Sequence, residues 1–300
     1  MFSWYFLHNS ISETSRFPSA LIDFVRGRPI NESLYDAKMK KWEKIRSEAL
    51  NRKTELSVAL PGGQIMILNP SDQSYVSSSI ATTGWIDLAL TSLLRKVIKP
   101  GMRAIDVGAN SGYYTLLLSR LVGSTGKVYS FEPEVSNLSL LRKNVAANKL
   151  ENVQVIDAAL SEVAGLVDLY GVDPSRPNEP SLVYSSGSTP SKVRSETLDH
   201  FWHDNGNLQV DFIKNHVRGG ENLVLRGGRK LIEEQSPMIA MVVVPENWQS
   251  DVELLSFLSS HYNFFKVVRS PRLLSPISKS GVMQANPSRG TELFLTPNKR

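Results

Sequence analysis

The residues best suited to chemistry lie in one stretch, Ala104-Ile105-Asp106-Val107-Gly108-Ala109-Asn110-Ser111-Gly112-Tyr113-Tyr114-Thr115. A short apolar run holding an acid breaks into a glycine-bearing turn, and the turn opens a segment with helical apolar spacing. The order is strand, loop, helix. Gly108 and Gly112 carry no Cβ, so backbone N–H groups of the loop can approach a ligand closely. The free N–H groups and dipole of the following helix favour an anionic or acceptor group at the same point. With Ala109 and Asn110 inside it, the loop is spaced G-x-x-x-G, and its acid, Asp106, precedes the first glycine. A dinucleotide loop reads G-x-G-x-x-G. The expected occupant is therefore a small polar cofactor other than a nicotinamide dinucleotide.

Two more acids belong with this loop. Glu132 closes the run Lys127-Val128-Tyr129-Ser130-Phe131, roughly twenty residues beyond the glycines, where a parallel β-α-β unit places an acid on ribose hydroxyls. One carboxylate accepts both hydrogen bonds of a vicinal diol. Pro133 fixes φ directly after it. Asp157 and Ala158 follow a third apolar run, Val153 to Ile156. Asp157 either accepts from an adenine amino group, with the alanines leaving room for the ring, or caps the chain where the strand ends. Asp106, Glu132 and Asp157 thus sit at three strand tips, on the edge where open α/β sheets bind ligands.

The rest of the chain supplies supports for that edge. Leu34 to Leu50 has the spacing of a peripheral amphipathic helix, and Glu55 to Leu60 and Gln64 to Leu68 flank Pro61-Gly62-Gly63 as a hairpin. Ile86 to Ile98 reads as a helix stopped by Lys99-Pro100-Gly101, and Val135 to Asn148 as the helix after Glu132. Residues 1–69 are accordingly expected to form an extension of helix plus hairpin, and residues 70–300 the main α/β domain. Two stretches rich in Pro, Ser and Gly, Asp173 to Ser195 and Arg269 to Gly290, have the length of binding loops and are expected to select the substrate.

Composition removes several classes. With 41% hydrophobic and 21% charged residues the chain is ordinary for a globular protein, and its lack of cysteine excludes disulfides, thiolate metal sites and a cysteine nucleophile. The net charge of +5 is contained in the segment from Lys214 onward, which holds twelve Lys/Arg against seven Asp/Glu. No dense basic run with interleaved aromatics occurs there, so no nucleic-acid partner is expected. Met1 to Leu7 is too short to span a bilayer and lacks a basic start and cleavage site, so no membrane span is expected and the chain reads as cytoplasmic. Asp199-His200-Phe201-Trp202-His203-Asp204 lacks the i, i+4 histidine spacing of zinc helices, and no metal is expected. Neither a P-loop nor a G-x-S-x-G elbow is present.

The strand-tip acids around a glycine loop resemble the class I methyltransferases that use S-adenosyl-L-methionine. The wording DVGANSGYYT, FEPE and NV-x-V-x-x-AL is closer still to the FkbM family. The resemblance continues through Thr197-Leu198-Asp199, Asp211-Phe212-Ile213-Lys214, the late Leu-Arg-Gly of the segment Glu221 to Gly227, and the apolar run Pro237 to Val244. It covers roughly residues 80 to 300 and implies a doubly wound, Rossmann-like, seven-stranded methyltransferase sheet. On that resemblance Asp106, Gly108, Ala109, Asn110 and Gly112 would face the methionine part of the cofactor, Asp106 favouring its ammonium directly or through water. Glu132, followed by Pro133, would hold the ribose, and Asp157 and Ala158 would lie beside the adenine.

After Asp-Phe-Ile-Lys the family continues with an apolar residue and Asp-Val-Glu-Gly. This chain reads Asn215-His216-Val217-Arg218-Gly219, with His216 in place of the Asp and Arg218 in place of the Glu. Two readings follow. In one, His216, with an ordinary pKa of about 6.5, takes the proton of an acceptor hydroxyl while Arg218 holds an anionic substrate. The reaction is then O-methylation of a small molecule, sugar or lipid. In the other, the chain is a cofactor-binding module without turnover that acts through partners.

Overall fold

The computed structural model describes residues 32–72, 74–171, 180–183, 189–243, 248, 251–268, 272–284 and 291–298. The proposed specificity loops lie partly outside these, as do Val244 and Glu246. The elements in chain order begin with helix α1 (Glu32–Arg52), strands β1 (Leu56–Ala59) and β2 (Ile65–Leu68), and helices α2 (Tyr75–Thr83) and α3 (Leu88–Val97). The site half follows: β3 (Arg103–Val107), α4 (Tyr113–Val122), β4 (Lys127–Phe131), α5 (Val135–Ala147) and β5 (Val153–Ile156). Next come β6 (Ala159–Leu160), β7 (Gly165–Leu169), β8 (Ser191–Glu196), α6 (Leu198–Asp204), β9 (Phe212–Asn215), α7 (Glu221–Arg226) and α8 (Arg229–Gln235). The last are β10 (Met238–Val243), α9 (Val252–His261), β11 (Tyr262–Val267), β12 (Leu274–Pro276), α10 (Lys279–Met283) and β13 (Thr291–Pro297).

The main sheet runs β12-β11-β13-β10-β9-β3-β4-β5. Strands β10, β9, β3, β4 and β5 are parallel, and β13 is inserted antiparallel between β10 and β11. This is the Rossmann-like methyltransferase order expected from the sequence, with the short β12 added as an eighth strand at the edge. Period-2 alternation sorts side chains onto the two faces. Ile105, Val107, Tyr129, Phe131, Ile213, Ile239, Met241, Leu293 and Leu295 enter one core, while Ala104, Val128, Phe212, Ala240 and Phe294 enter the other. Helices on both faces are what lets the central strands be apolar throughout.

The second core also takes in the extension. Trp42 of α1, Leu56 and Val58 of β1 and Met66 and Leu68 of β2 pack with Leu116 and Leu118 of α4. Asn144 of α5 and Asn148 at its C-cap, one turn apart, treat β2 as though they were a neighbouring strand. Asn144 Oδ1 accepts from Ile67 N at 2.6 Å and Asn148 Oδ1 from Ile65 N at 2.8 Å. Their amides donate back to Ile67 O and Ile65 O at 3.1 and 2.6 Å. An otherwise bare strand edge is covered in this way.

Helix α2 was not foreseen, because Tyr75-Val76-Ser77-Ser78-Ser79-Ile80-Ala81-Thr82-Thr83 is rich in residues that compete with helical hydrogen bonds. Ser74 caps its start and Gly84, at φ 77°, its end. The small sheet β6-β8-β7 was also missed, since its partners are brought together only by tertiary packing. Thr197-Leu198-Asp199 turns out to be scaffolding. Thr197 caps α6, Leu198 is fully buried, and Asp199 accepts from Lys230 N and Leu231 N at the start of α8. No helix among the described residues is long and apolar enough to cross a membrane.

Candidate active site

The carboxyl ends of β4, β3 and β9 open into one cavity of about 390 Å³. Gly108, Ala109, Asn110, Glu132, Pro133, Ala158, His216 and Arg218 all line it. The sequence therefore brings eight of its eleven candidates to one wall. The other three, Asp106, Gly112 and Asp157, stand elsewhere.

Asp106 is fully buried beneath the loop. The register pairs it with Ser130 on one side and Lys214 on the other, so three polar residues cross the sheet in a row. Its Oδ1 lies 3.0 Å from Lys214 Nζ, and its Oδ2 accepts from Thr115 Oγ1 at 2.7 Å. The lysine also donates to the carbonyls of Val107 and Gly108, at 3.3 and 3.1 Å, and stands 5.2 Å from the Tyr114 ring centre. A buried charge survives when paired and hydrogen-bonded. Asp106 thus anchors the floor, paired with Lys214, and does not line the cavity where the resemblance implied direct contact with an ammonium.

Gly112 caps α4 at φ 100°, and a Cβ there would meet Leu141 Cδ1 at 2.7 Å. Gly108, at φ 68°, has a stricter need, since a Cβ would lie 2.4 Å from the carbonyl oxygen of His216. Both glycines are thus required by dihedral and by contact, and Gly112 serves the helix rather than the cavity wall. Asp157 is exposed, 3.5 Å from Arg142 Nη2, and does not line the cavity. Its neighbour Ala158 does, with Phe131 and Leu160, making an apolar slot of a kind that accepts a flat ring.

Glu132 is buried on the wall. Oε2 accepts from Asn110 N at 2.7 Å and Oε1 from Glu134 N at 3.0 Å. Burial raises its pKa from 4.5 to about 7, against the lowering effect of those N–H donors. The Asn137 side chain donates to it as well, and the carboxylate lies on the cavity wall, where it can accept from a ligand hydroxyl.

The β9 tip is built differently. Asn215 donates from Nδ2 to Glu221 O at 2.9 Å, and Glu221 accepts from Val217 N at 3.1 Å and Gly219 N at 2.9 Å. Glu221 was missed in the sequence, although an acid in the first turn of a helix was a usable signal. It is buried on the cavity wall, and burial raises its pKa to about 7. Arg218 is held at φ 51°, and its carbonyl accepts from Ser181 Oγ at 2.9 Å. His216 stands on the cavity wall with its side chain exposed. Crowding by the surrounding chain and the charge of Lys214 lower its pKa from 6.5, so the imidazole is neutral at neutral pH.

Other sequence candidates resolve simply. His200 lies exposed between Glu196, 2.6 Å away, and Asp204, 3.3 Å away, which together raise its pKa. Among the described residues no group of three or more His, Cys, Asp or Glu has the grouping to hold a metal ion.

The donor set fits an adenosyl ligand with a charged tail: a carboxylate on the cavity wall for a diol, an apolar lining for the base and acids near a glycine loop. Comparison with known proteins agrees. Residues 106–265 match the family model described as Methyltransferase FkbM domain. A probable cobalt-precorrin-6B C(15)-methyltransferase (decarboxylating) of Sulfurisphaera tokodaii is 30% identical over 82 residues, 27% of this chain and 43% of that protein. The tRNA (adenine(58)-N(1))-methyltransferase TrmI of Thermus thermophilus is 32% identical over 124 residues, 37% of this chain and 45% of that one. The match thus spans less than half the length of each. A solved FkbM methyltransferase from Methylobacillus flagellatus superposes with a TM-score of 0.41 at 18% identity, covering 74% of this chain and 53% of that one. With the family model spanning more than half of the chain, the protein belongs to the FkbM family of S-adenosyl-L-methionine-dependent methyltransferases.

Proposed function

We propose that residues 70–300 act as a methyltransferase on a hydroxyl oxygen of a small molecule, sugar or lipid in the cytoplasm, with residues 1–69 as an extension. The observation that carries this reading is the continuity of one cavity from Glu132 and Ala158 to His216 and Arg218. S-adenosyl-L-methionine supplies an electrophilic methyl group on a sulfonium. Glu132 takes the ribose diol, Ala158 and Leu160 flank the base, and the Gly108–Asn110 backbone runs beside the tail. His216, neutral at the cavity, accepts the hydrogen bond of the acceptor hydroxyl and receives its proton, while Arg218 holds an anionic part of the acceptor. Positioning of the two reactants supplies most of the acceleration. The Pro180–Leu182 segment, on the same wall, contributes to acceptor choice.

Incubation with methyl-labelled S-adenosyl-L-methionine and a metabolite extract tests this. Label should appear in small-molecule or lipid products stable to mild alkali, as ethers are. Transfer to RNA alone would replace the acceptor class. One observation favours a second reading, a binding module without turnover: both acid positions of the family motif are occupied by His216 and Arg218. Tight cofactor binding with no label in any fraction would establish it.

A further inference from the structure

Among the described residues three carboxylates line the cavity, and two are already committed. Both oxygens of Glu132 are held by backbone N–H groups, and so are those of Glu221. The third, Asp87, stands at φ 42°, a backbone region that non-glycine residues enter at a cost and that clusters at functional positions. Its Oδ1 makes one long contact, 3.4 Å from Leu90 N, as the cap of α3. Its other partner is the carboxyl of Glu292. Glu292 lies opposite Val242 in the sheet, and Val242 is itself on the cavity wall. Burial and the Asp87 carboxylate raise the Glu292 pKa well above 4.5. Glu292 therefore keeps its proton well above the usual carboxylate range and shares a hydrogen bond with Asp87.

The cofactor tail brings an α-ammonium into this cavity, and Asp106 is sealed behind Lys214 and Thr115. We propose that Asp87, oriented by Glu292, is the cofactor-binding carboxylate that receives the methionyl ammonium. Asp87 is the anchoring residue and Glu292 a positioning residue. The inference rests on the placement of the ribose at Glu132, and the two ideas fail differently.

Calorimetric titration of the full chain with three probes tests it: S-adenosyl-L-methionine, S-adenosylhomocysteine and 5′-methylthioadenosine, which lacks the amino-acid tail. Asp87→Asn keeps the helix cap and tolerates positive φ, so the variant should fold. It should weaken the first two probes about tenfold or more, the usual scale for losing one charge-assisted hydrogen bond, and leave the third unchanged. Glu292→Gln should show the same pattern more weakly. Glu132→Gln should weaken all three probes, and its failure to do so would remove the ribose placement alone. Equal binding of S-adenosylhomocysteine by wild type and Asp87→Asn, or an equal loss for all three probes, would overturn the ammonium assignment. Lost methyl transfer with unchanged cofactor binding would overturn it too, assigning Asp87 to the acceptor.

Discussion

The two ends of the cavity differ in how their charges are held. On the β3 and β4 side, Asp106 is locked by Lys214 and Thr115, and Glu132 by two backbone N–H groups. On the β9 side, the family's acids are replaced by a neutral imidazole and a guanidinium on a backbone turned to positive φ. The first end is a cradle in which Asp106 is turned inward and Glu132 is held against the cavity. The second is a surface whose chemistry can be changed without disturbing the sheet. On the proposed roles, cofactor recognition is separated from acceptor recognition.

The largest effect should come from breaking the cradle. Lys214→Met leaves Asp106 buried beside Thr115 without its cation, and unfolding in urea should show a loss of about 3–5 kcal/mol. Arg142→Ala removes the exposed pair with Asp157 and should leave the same measurement unchanged. Equal losses would show that the buried row is not special.

At the other end, His216→Ala should lower methyl transfer about a hundredfold, the low end for proton transfer by a positioned side chain. S-adenosylhomocysteine affinity, measured in the same preparation, should not move. Loss of both together would erase the division between the two ends.

A third test uses pH. Glu132 titrates at about 7 in the fold against 4.5 ordinarily, and Glu221 at about 7 as well. Between those values the folded chain binds more protons than the unfolded one, so stability should fall as pH rises from about 4.5 to 7. Glu132→Gln should flatten that slope. The diol needs the ionised carboxylate, so wild-type affinity for S-adenosylhomocysteine should rise with pH through about 7. A pH-independent affinity would move the ribose away from Glu132.

The smallest effect tests the scaffold. Asp199→Ala removes the acceptor for Lys230 N and Leu231 N, and should cost about 1 kcal/mol without changing cofactor affinity.

The cradle was legible in the sequence because it is local. Strand, glycine loop and helix follow one another within a dozen residues, and Glu132 comes one β-α-β unit later at a separation set by the fold. Its strands, helices and hairpin were found for the same reason. The part that was misjudged is Asp106, since the lysine that seals it lies more than a hundred residues away. The acceptor end was legible only through the altered motif at His216 and Arg218. Asp87 and Glu292 are far apart in sequence, sit in no periodic pattern that marks them, and are brought together by tertiary packing, with β13 lying beside β10. Glu221 carried a signal, an acid at a helix start, but such acids are common and most cap nothing buried.

The paired asparagines at the end of α5 set a practical limit on how the protein can be cut. A clone beginning at residue 70 would keep every cavity residue yet strip Asn144 and Asn148 of their strand and lay bare the apolar side of α4. That helix begins at the cofactor loop itself. Shortened versions are therefore expected to precipitate or lose ligand, and those meant for crystals or assays should start ahead of Leu56.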